Sequence, residues 1–438
     1  MIYDLVIHNG TILTENETDD VIENGLICVK GARLARIESR PPDTPLPVAA
    51  ETIDAAGGLI MPGLVNTHTH LPMTLFRGLA DDLPLDTWLN EYIFPAENRH
   101  INPETVRVGT LLAIAEMLLS GTTTCCDGYF YEDVVAAAVE STGLRALVGQ
   151  GVIDFPAPGV PDPSRNLGTA ADFLNHWKDR HPMITPSVFC HSPYTCSPST
   201  LEATKTLARE AGVLFQIHVA ETRSEAEQSL TNHGLSPIAH LDRIGVLDKR
   251  TLLVHCVHLS QRDITTINKN GAKISHNPES NMKLAAGVAP IPALLSAGVT
   301  VGLGTDGCAS NNNLDLFGEM DTAAKLHKAT SNDPTVLDAH RVLKMATIDG
   351  ARAIGLGDTT GSIEIGKQAD VIILDTKRPH LTPLYSPWSH VVYAARGSDV
   401  TYTVVAGKIV VADGCLKTMD IDNVLEDARK ISRQVLAK

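Results

Sequence analysis

The sequence predicts an α/β fold: a (β/α)8 TIM barrel with a small β-sandwich domain built from both chain ends. Three observations predict it. From about Leu59 to Gly357, short apolar runs alternate with helix-length amphipathic stretches, the pattern of repeated βα units on a parallel sheet. Eight of those runs read as strands, which suits a closed barrel of about 250 residues before insertions. The two chain ends share a β-rich texture that the middle lacks. The expected division is a sandwich of residues 1–58 and 365–438, with a C-terminal helix, around a barrel of residues 59–364.

At the start, Asp4-Leu5-Val6-Ile7-His8 reads as a strand stopped by the turn dipeptide Asn9-Gly10, and Gly25 to Lys30 as a second strand. The same texture returns in Ala369 to Asp375 and in Thr403 to Val411. The eight barrel candidates centre on Gly63–Asn66, Thr122–Cys125, Ala146–Gly149, Ser187–Cys190, Leu214–Ile217, Leu252–His255, Ala272–Ser275 and Thr300–Leu303. Between the first two, Leu111, Ile114 and Leu118 space as one face of a helix over Thr105 to Ser120, with Gly121 in the place of a C-terminal cap.

Composition excludes several functions. A net charge of -15 over 438 residues leaves no basic face for a phosphate backbone, so no nucleic-acid partner is expected, and anionic membranes are disfavoured likewise. No run approaches the roughly 18–20 apolar residues of a membrane span, and Met1-Ile2-Tyr3-Asp4 does not open a signal peptide, so a cytoplasmic protein is expected. The 8 cysteines, with only Cys125-Cys126 adjacent and no CxxC pair, are too sparse for a disulfide scaffold. They read as reduced, mostly buried thiols, with the adjacent pair packed behind the barrel.

In such a barrel the chemistry sits at the C-terminal ends of the strands. There the first strand runs into His68-Thr69-His70, and residues two apart on an extended chain point the same way, so both imidazoles can meet one ion. His191 closes the fourth strand, His218 the fifth, His255 the sixth and His276 the seventh, while Asp306 follows the eighth. A lone strand-end histidine is more often structural than a ligand. Recurrence at one station of the barrel argues for a metal site.

His68, His70, His218 and Asp306 offer three neutral nitrogens and one carboxylate, a set that suits Zn²⁺ and also accepts Fe²⁺ or Mn²⁺. Water on such an ion has its pKa lowered to about 7, which supplies hydroxide at neutral pH. Glu221, three residues after His218, reads as the proton shuttle; its plainer alternative is a solvated carboxylate at a helix start. Gly302-Leu303-Gly304-Thr305-Asp306-Gly307 matches GxGxxG, but Asp306 would set like charge against a pyrophosphate, so the segment reads as a strand end carrying a ligand. HExxH, HxE with PCxxC, and GxSxG are all absent.

Met61-Pro62-Gly63-Leu64-Val65-Asn66-Thr67-His68-Thr69-His70 resembles the opening of the amidohydrolase superfamily, metal-dependent hydrolases on a (β/α)8 barrel flanked by a small β-sandwich. The segments His218-Val219-Ala220-Glu221-Thr222, Leu253-Val254-His255-Cys256, Ser275-His276-Asn277-Pro278 and Gly304-Thr305-Asp306 follow in that superfamily's order. Met73 to Asp82, with Trp88-Leu89 and Pro95-Ala96-Glu97, is similar to the 5′-methylthioadenosine/S-adenosylhomocysteine deaminases.

The resemblance implies hydrolytic deamination of an adenine nucleoside to the 6-oxo purine nucleoside and ammonia. It assigns Glu221 the protons at purine N1 and at the departing ammonia, and gives His255 and Asp306 the positioning and deprotonation of water. Glu97 would accept hydrogen bonds from the ribose hydroxyls, and His191 would contact the nucleoside. Superfamily members with two metals bridge them through a modified lysine closing the fourth strand; Phe189-Cys190-His191 has none, so one divalent ion is expected. A homo-oligomer is implied by the resemblance alone. Gln150 stands where the adenosylhomocysteine-using members carry an arginine, with Arg165 as a substitute positive group, so methylthioadenosine or adenosine is favoured. Competing readings are a relative acting on guanine, 8-oxoguanine, cytosine or a triazine, and a nucleoside-binding protein with a dead site.

Overall fold

The computed structural model describes residues 2–41 and 44–436. Eight parallel strands, Leu64–Thr69, Thr122–Tyr129, Arg145–Val152, Ile184–Cys190, Phe215–Val219, Thr251–His255, Lys273–His276 and Val301–Leu303, pair strictly in chain order. They are buried along nearly their whole length because helices cover the outside and side chains fill the inside. At the seam the Asp306 amide donates to the His68 carbonyl at 3.0 Å, and Asn66 brackets Thr305, accepting from its amide at 3.1 Å and donating to its hydroxyl at 2.8 Å. The polar ends of the first and last strands therefore close the ring.

The helix after the first strand spans Pro103–Leu119. Asn102 caps its start by accepting from the Glu104 and Thr105 amides, and Gly121 follows its end in the left-handed region, φ 82°. The barrel floor is a plug of Val65, Cys126, Leu147, Leu252, Ala351 and Ile354. Alternation along the second strand sends Cys126 into this plug and Cys125 into the helix-side core, so only Cys125 packs behind the barrel. All 8 cysteines are free thiols, and Cys415 is the one that is exposed.

Both chain ends build a second sheet of nine strands, running from Cys415–Leu416 at one edge to Arg33–Ser39 at the other. Its core includes Leu5, Ile7, Ile27, Ile53, Val371 and Val404. Two expectations change here. Asn9-Gly10 does not stop the first strand, which continues over Tyr3–Leu13 through a shift in pairing beside Gly10. A Cβ on Gly10 would lie 2.8 Å from the Gly58 carbonyl oxygen, so glycine serves a close backbone approach rather than a turn. The run Thr403 to Val411 is a hairpin of Val400–Val405 and Lys408–Ala412, reversing at Ala406-Gly407.

Leu59–Pro62, counted with the barrel from the sequence, pairs with Tyr3–Leu13 and with Val371–Leu374 of the terminal sheet. Its immediate continuation into Leu64–Thr69 ties that sheet to the barrel. So does the buried pair Arg145 and Asp370, with Nε to Oδ2 at 2.8 Å and Nη2 to Oδ1 at 3.2 Å. Among the described residues no helix is long and apolar enough to cross a membrane.

Candidate active site

A cavity of about 940 Å³, counting the solvent in its mouth, opens at the C-terminal ends of the barrel strands. His70, Glu97, His191, His218, Glu221, His255 and Asp306 all line it, and His68 lies fully buried among them. Ligand atoms of His68, His70 and Asp306 fall within 4.8 Å of one another, as do those of His68, His218 and His255. His68 Nε2 stands 3.1 Å from His218 Nε2, and Asp306 Oδ1 stands 3.5 Å from His68 Nε2 and 3.4 Å from His70 Nε2.

Burial drives the His68 imidazole down to about 4, and burial followed by the neighbouring His68 holds His218 well below the usual range. Both are neutral at pH 7. Neutral imidazole nitrogens gathered beside the Asp306 carboxylate, with His68 Nδ1 making no hydrogen bond, form a donor set suited to a cation. The residues therefore fit a divalent metal ion.

Neighbours aim these groups. The Gly128 carbonyl lies 2.6 Å from His70 Nδ1 and fixes its Nε2 toward the cluster. Asp306 Oδ2 accepts from the Ser280 and Ser310 hydroxyls at 2.7 and 2.9 Å, and Oδ1 from the Gly307 amide at 2.7 Å. Burial pushes the Asp306 carboxyl up, but the His68 hydrogen bond and the surrounding histidines more than reverse this and hold it well below the usual range. His255 and Asp306 sit in the left-handed region, at φ 72° and 64°, a costly backbone that turns each inward just past its strand.

Beside the cluster, Glu221 Oε2 is 3.8 Å from His255 Nε2, while His255 Nδ1 is 2.9 Å from Asn281 Oδ1. That amide oxygen accepts a hydrogen bond from Nδ1, which leaves Nε2 turned toward Glu221. Burial raises the Glu221 carboxyl, with the His255 charge offsetting part of the effect. A carboxyl raised in this way and placed beside His255 is suited to proton transfer.

Higher on the wall, Glu97 accepts a hydrogen bond from the Tyr129 hydroxyl. Burial pushes Glu97 up to about 7 despite that bond. His191 Nδ1 lies 2.8 Å from Thr195 Oγ1, and burial drives its imidazole down to about 3.

The remaining two expected site residues are not brought here. Gln150 shares its strand face with Ala146 and Val148, which pack toward the helices, and Gly151 lines the cavity in its place. Arg165 is exposed in the turn Pro163–Arg165 and does not line the cavity. His276, at the end of the seventh strand, pairs instead with His327, Nε2 to Nε2 at 3.1 Å. Sequence reasoning missed Ser280, Asn281 and Ser310, the groups that hold Asp306 and His255. The Ser and Asn content just after His276 and Asp306 was the available signal.

Comparisons with known proteins agree with this geometry. The profile of the amidohydrolase family matches residues 59–410. A 5-methylthioadenosine/S-adenosylhomocysteine deaminase of Syntrophobacter fumaroxidans is 47% identical over 432 residues, covering 99% of this chain and 98% of that protein. A 5′-deoxyadenosine deaminase of Methanothermobacter thermautotrophicus is 45% identical over 419 residues, covering 94% of this chain and 95% of that protein. The crystal structure of an adenosine deaminase from Xanthomonas campestris with bound zinc superposes with a TM-score of 0.97 at 39% identity, covering 100% of this chain and 99% of that one. Matched through its barrel by the profile and almost end to end by these relatives, the chain belongs to the amidohydrolase family.

Proposed function

We propose that the protein hydrolytically deaminates adenine nucleosides at C6, releasing the 6-oxo purine nucleoside and ammonia, with a single zinc ion held by His68, His70, His218 and Asp306. The observation that carries the reading is the convergence of that ligand set with the Glu221 and His255 pair, 3.8 Å apart, at one end of one cavity. The names of the relatives, all deaminases of adenine nucleosides, support the substrate class. The fourth strand closes in Phe189-Cys190-His191, without the lysine that could bridge a second ion, and this supports one metal.

The ion supplies Lewis acidity and lowers the pKa of water in the site. The chain's own residues do the rest. Glu221, its carboxyl raised by burial, gives a proton to purine N1 as water adds to C6, takes up the proton of the new C6 hydroxyl and passes it to the departing amine. His255, its Nδ1 held by Asn281, accepts a proton from the attacking water through Nε2 together with Asp306, whose second oxygen is occupied by Ser280 and Ser310. Glu97 receives the ribose hydroxyls, His191 contacts the nucleoside, and Trp88 and Phe189 keep bulk water from the base.

The test is ammonia release by the zinc-loaded protein from methylthioadenosine, adenosine, guanine and cytosine in parallel. Turnover of the nucleosides is expected. Turnover of free bases alone would move the substrate to another heterocycle, and tight nucleoside binding without ammonia would mark a dead site.

A further inference from the structure

We infer that Glu319, which does not line the cavity, is a positioning residue for the reaction: it holds together the two short helices whose side chains aim Asp306 and His255. The inference rests on the deaminase reading above and adds to it a residue that meets neither substrate nor metal. Ser280 and Asn281 stand on Pro278–Lys283, after the seventh strand, and Ser310 on Cys308–Asn311, after the eighth. Helices of 6 and 4 residues are too short to be stable in isolation, so bonds from elsewhere in the fold must fix where they sit.

Glu319 supplies such bonds. It stands in the first turn of the helix Leu316–Ser331 and is fully buried, as are Leu316, Met320 and Ala323. Its Oε1 accepts from Asn311 Nδ2 at 2.7 Å. Its Oε2 accepts from the Glu279 amide at 3.2 Å, a first-turn N–H that has no partner inside its own helix. One carboxyl therefore takes one N–H from each short helix. The same Asn311 nitrogen donates to the Thr305 carbonyl at 2.8 Å, next to Asp306. A carboxyl is costly in this place: burial, and after it the Glu279 charge, raises it well above the usual range. An apolar residue would avoid that cost and lose both bonds.

Glu279 extends the brace. Its Oε1 accepts from Thr322 Oγ1 at 2.9 Å, one turn further along the helix that carries Glu319, and its Oε2 from Asn313 Nδ2 at 3.1 Å. Ser280 directly follows Glu279, and Ser310 directly precedes Asn311, so each anchored residue adjoins a hydroxyl that donates to Asp306 Oδ2. The two hydroxyl oxygens lie 3.2 Å apart. Two donors converge on one carboxylate oxygen only while the two helices keep their spacing, and the Asn281 contact to His255 moves with the first of them.

The experiment measures kcat, KM and zinc content with methylthioadenosine for the zinc-loaded parent, Glu319→Gln and Asn311→Ala. An amide keeps the size but offers one accepting oxygen where the carboxyl offers two, so Glu319→Gln breaks one of the two bonds. Asn311→Ala cuts the same link from its less buried side and carries the test if Glu319→Gln does not fold. The expected result in each variant is a fall in kcat per bound zinc of about 10-fold or more, with KM within about 2-fold of the parent value. Once Ser280→Ala and Ser310→Ala have removed the hydroxyls, adding Glu319→Gln should cost less kcat than it does in the parent; a merely structural role would cost the same in both. Parental kcat in both variants, a loss seen in KM alone, or equal costs in the two backgrounds overturns this inference and leaves the deaminase reading standing. A parent that releases no ammonia from nucleosides overturns both.

Discussion

His218 Nε2 lies 3.1 Å from His68 Nε2, although the two residues are 150 positions apart in the chain. Each imidazole is buried, and together with His70 and Asp306 the pair could give a cation ligands from the ends of three barrel strands. Stripping the metal with a chelator is therefore expected to lower the thermal midpoint, and restoring zinc to raise it again. A ligand at 100 times its dissociation constant contributes about 2.7 kcal/mol. Elemental analysis of the restored protein should give one zinc per chain; two ions at full occupancy would contradict the ligand assignment.

Asn281 touches no substrate in this account and acts only by fixing His255. Asn281→Leu removes the acceptor for the Nδ1 proton and frees the ring to take the other tautomer. A fall in kcat of about 10- to 100-fold with zinc content unchanged is expected, the range seen when partners behind an active-site group are removed. Steady-state kinetics beside metal analysis checks it, and an unchanged kcat would remove Asn281 from the scheme.

Glu97→Gln keeps size while removing the charge that would receive two ribose hydroxyls. The expected effect is a raised KM for every riboside, by about 10-fold, corresponding to about 1.4 kcal/mol. Because burial sets Glu97 at about 7, parent KM values should rise as pH falls below 7 and the variant's should respond less. A variant whose KM matches the parent's would sink the ribose assignment.

Glu15 gives a pH dependence of stability away from the site. It accepts from Trp388 Nε1 at 3.0 Å in a buried position, and burial raises its carboxyl from 4.5 to about 7. A raised carboxyl binds its proton more tightly in the folded state, so the stability it contributes is full below about 4.5 and is lost as pH climbs to about 7. Glu15→Gln keeps the acceptor for Trp388 and carries no charge. The variant should match the parent in denaturant unfolding at pH 4.5 and exceed it at pH 8, by an amount on the order of a few kcal/mol.

Much of the site was readable in the sequence because parallel strands announce their own ends. An apolar run buried on both faces stops where its residues become polar, and His68, His70, His218, His255 and Asp306 all stand at such stops. What could not be read depended on direction or on distant elements. Gln150 also stands near a strand end, yet its place in the alternation turns it to the helices. Ser280, Ser310 and Asn281 meet Asp306 and His255 only through the closed barrel, and the left-handed backbone at His255 and Asp306 is one that even these more tolerant residue types adopt in a minority of cases. At Asn9-Gly10 a local turn preference lost to the ladder that runs on through Ile12 and Leu13.

We propose that Glu221 moves protons beside a metal ion that it does not itself hold. Ammonia release from methylthioadenosine by the zinc-loaded parent and by zinc-loaded Glu221→Gln, with zinc measured in both, tests it most directly. Equal zinc and a loss of about 10²- to 10⁴-fold in kcat are expected for the variant. Equal zinc with near-parental turnover would contradict it.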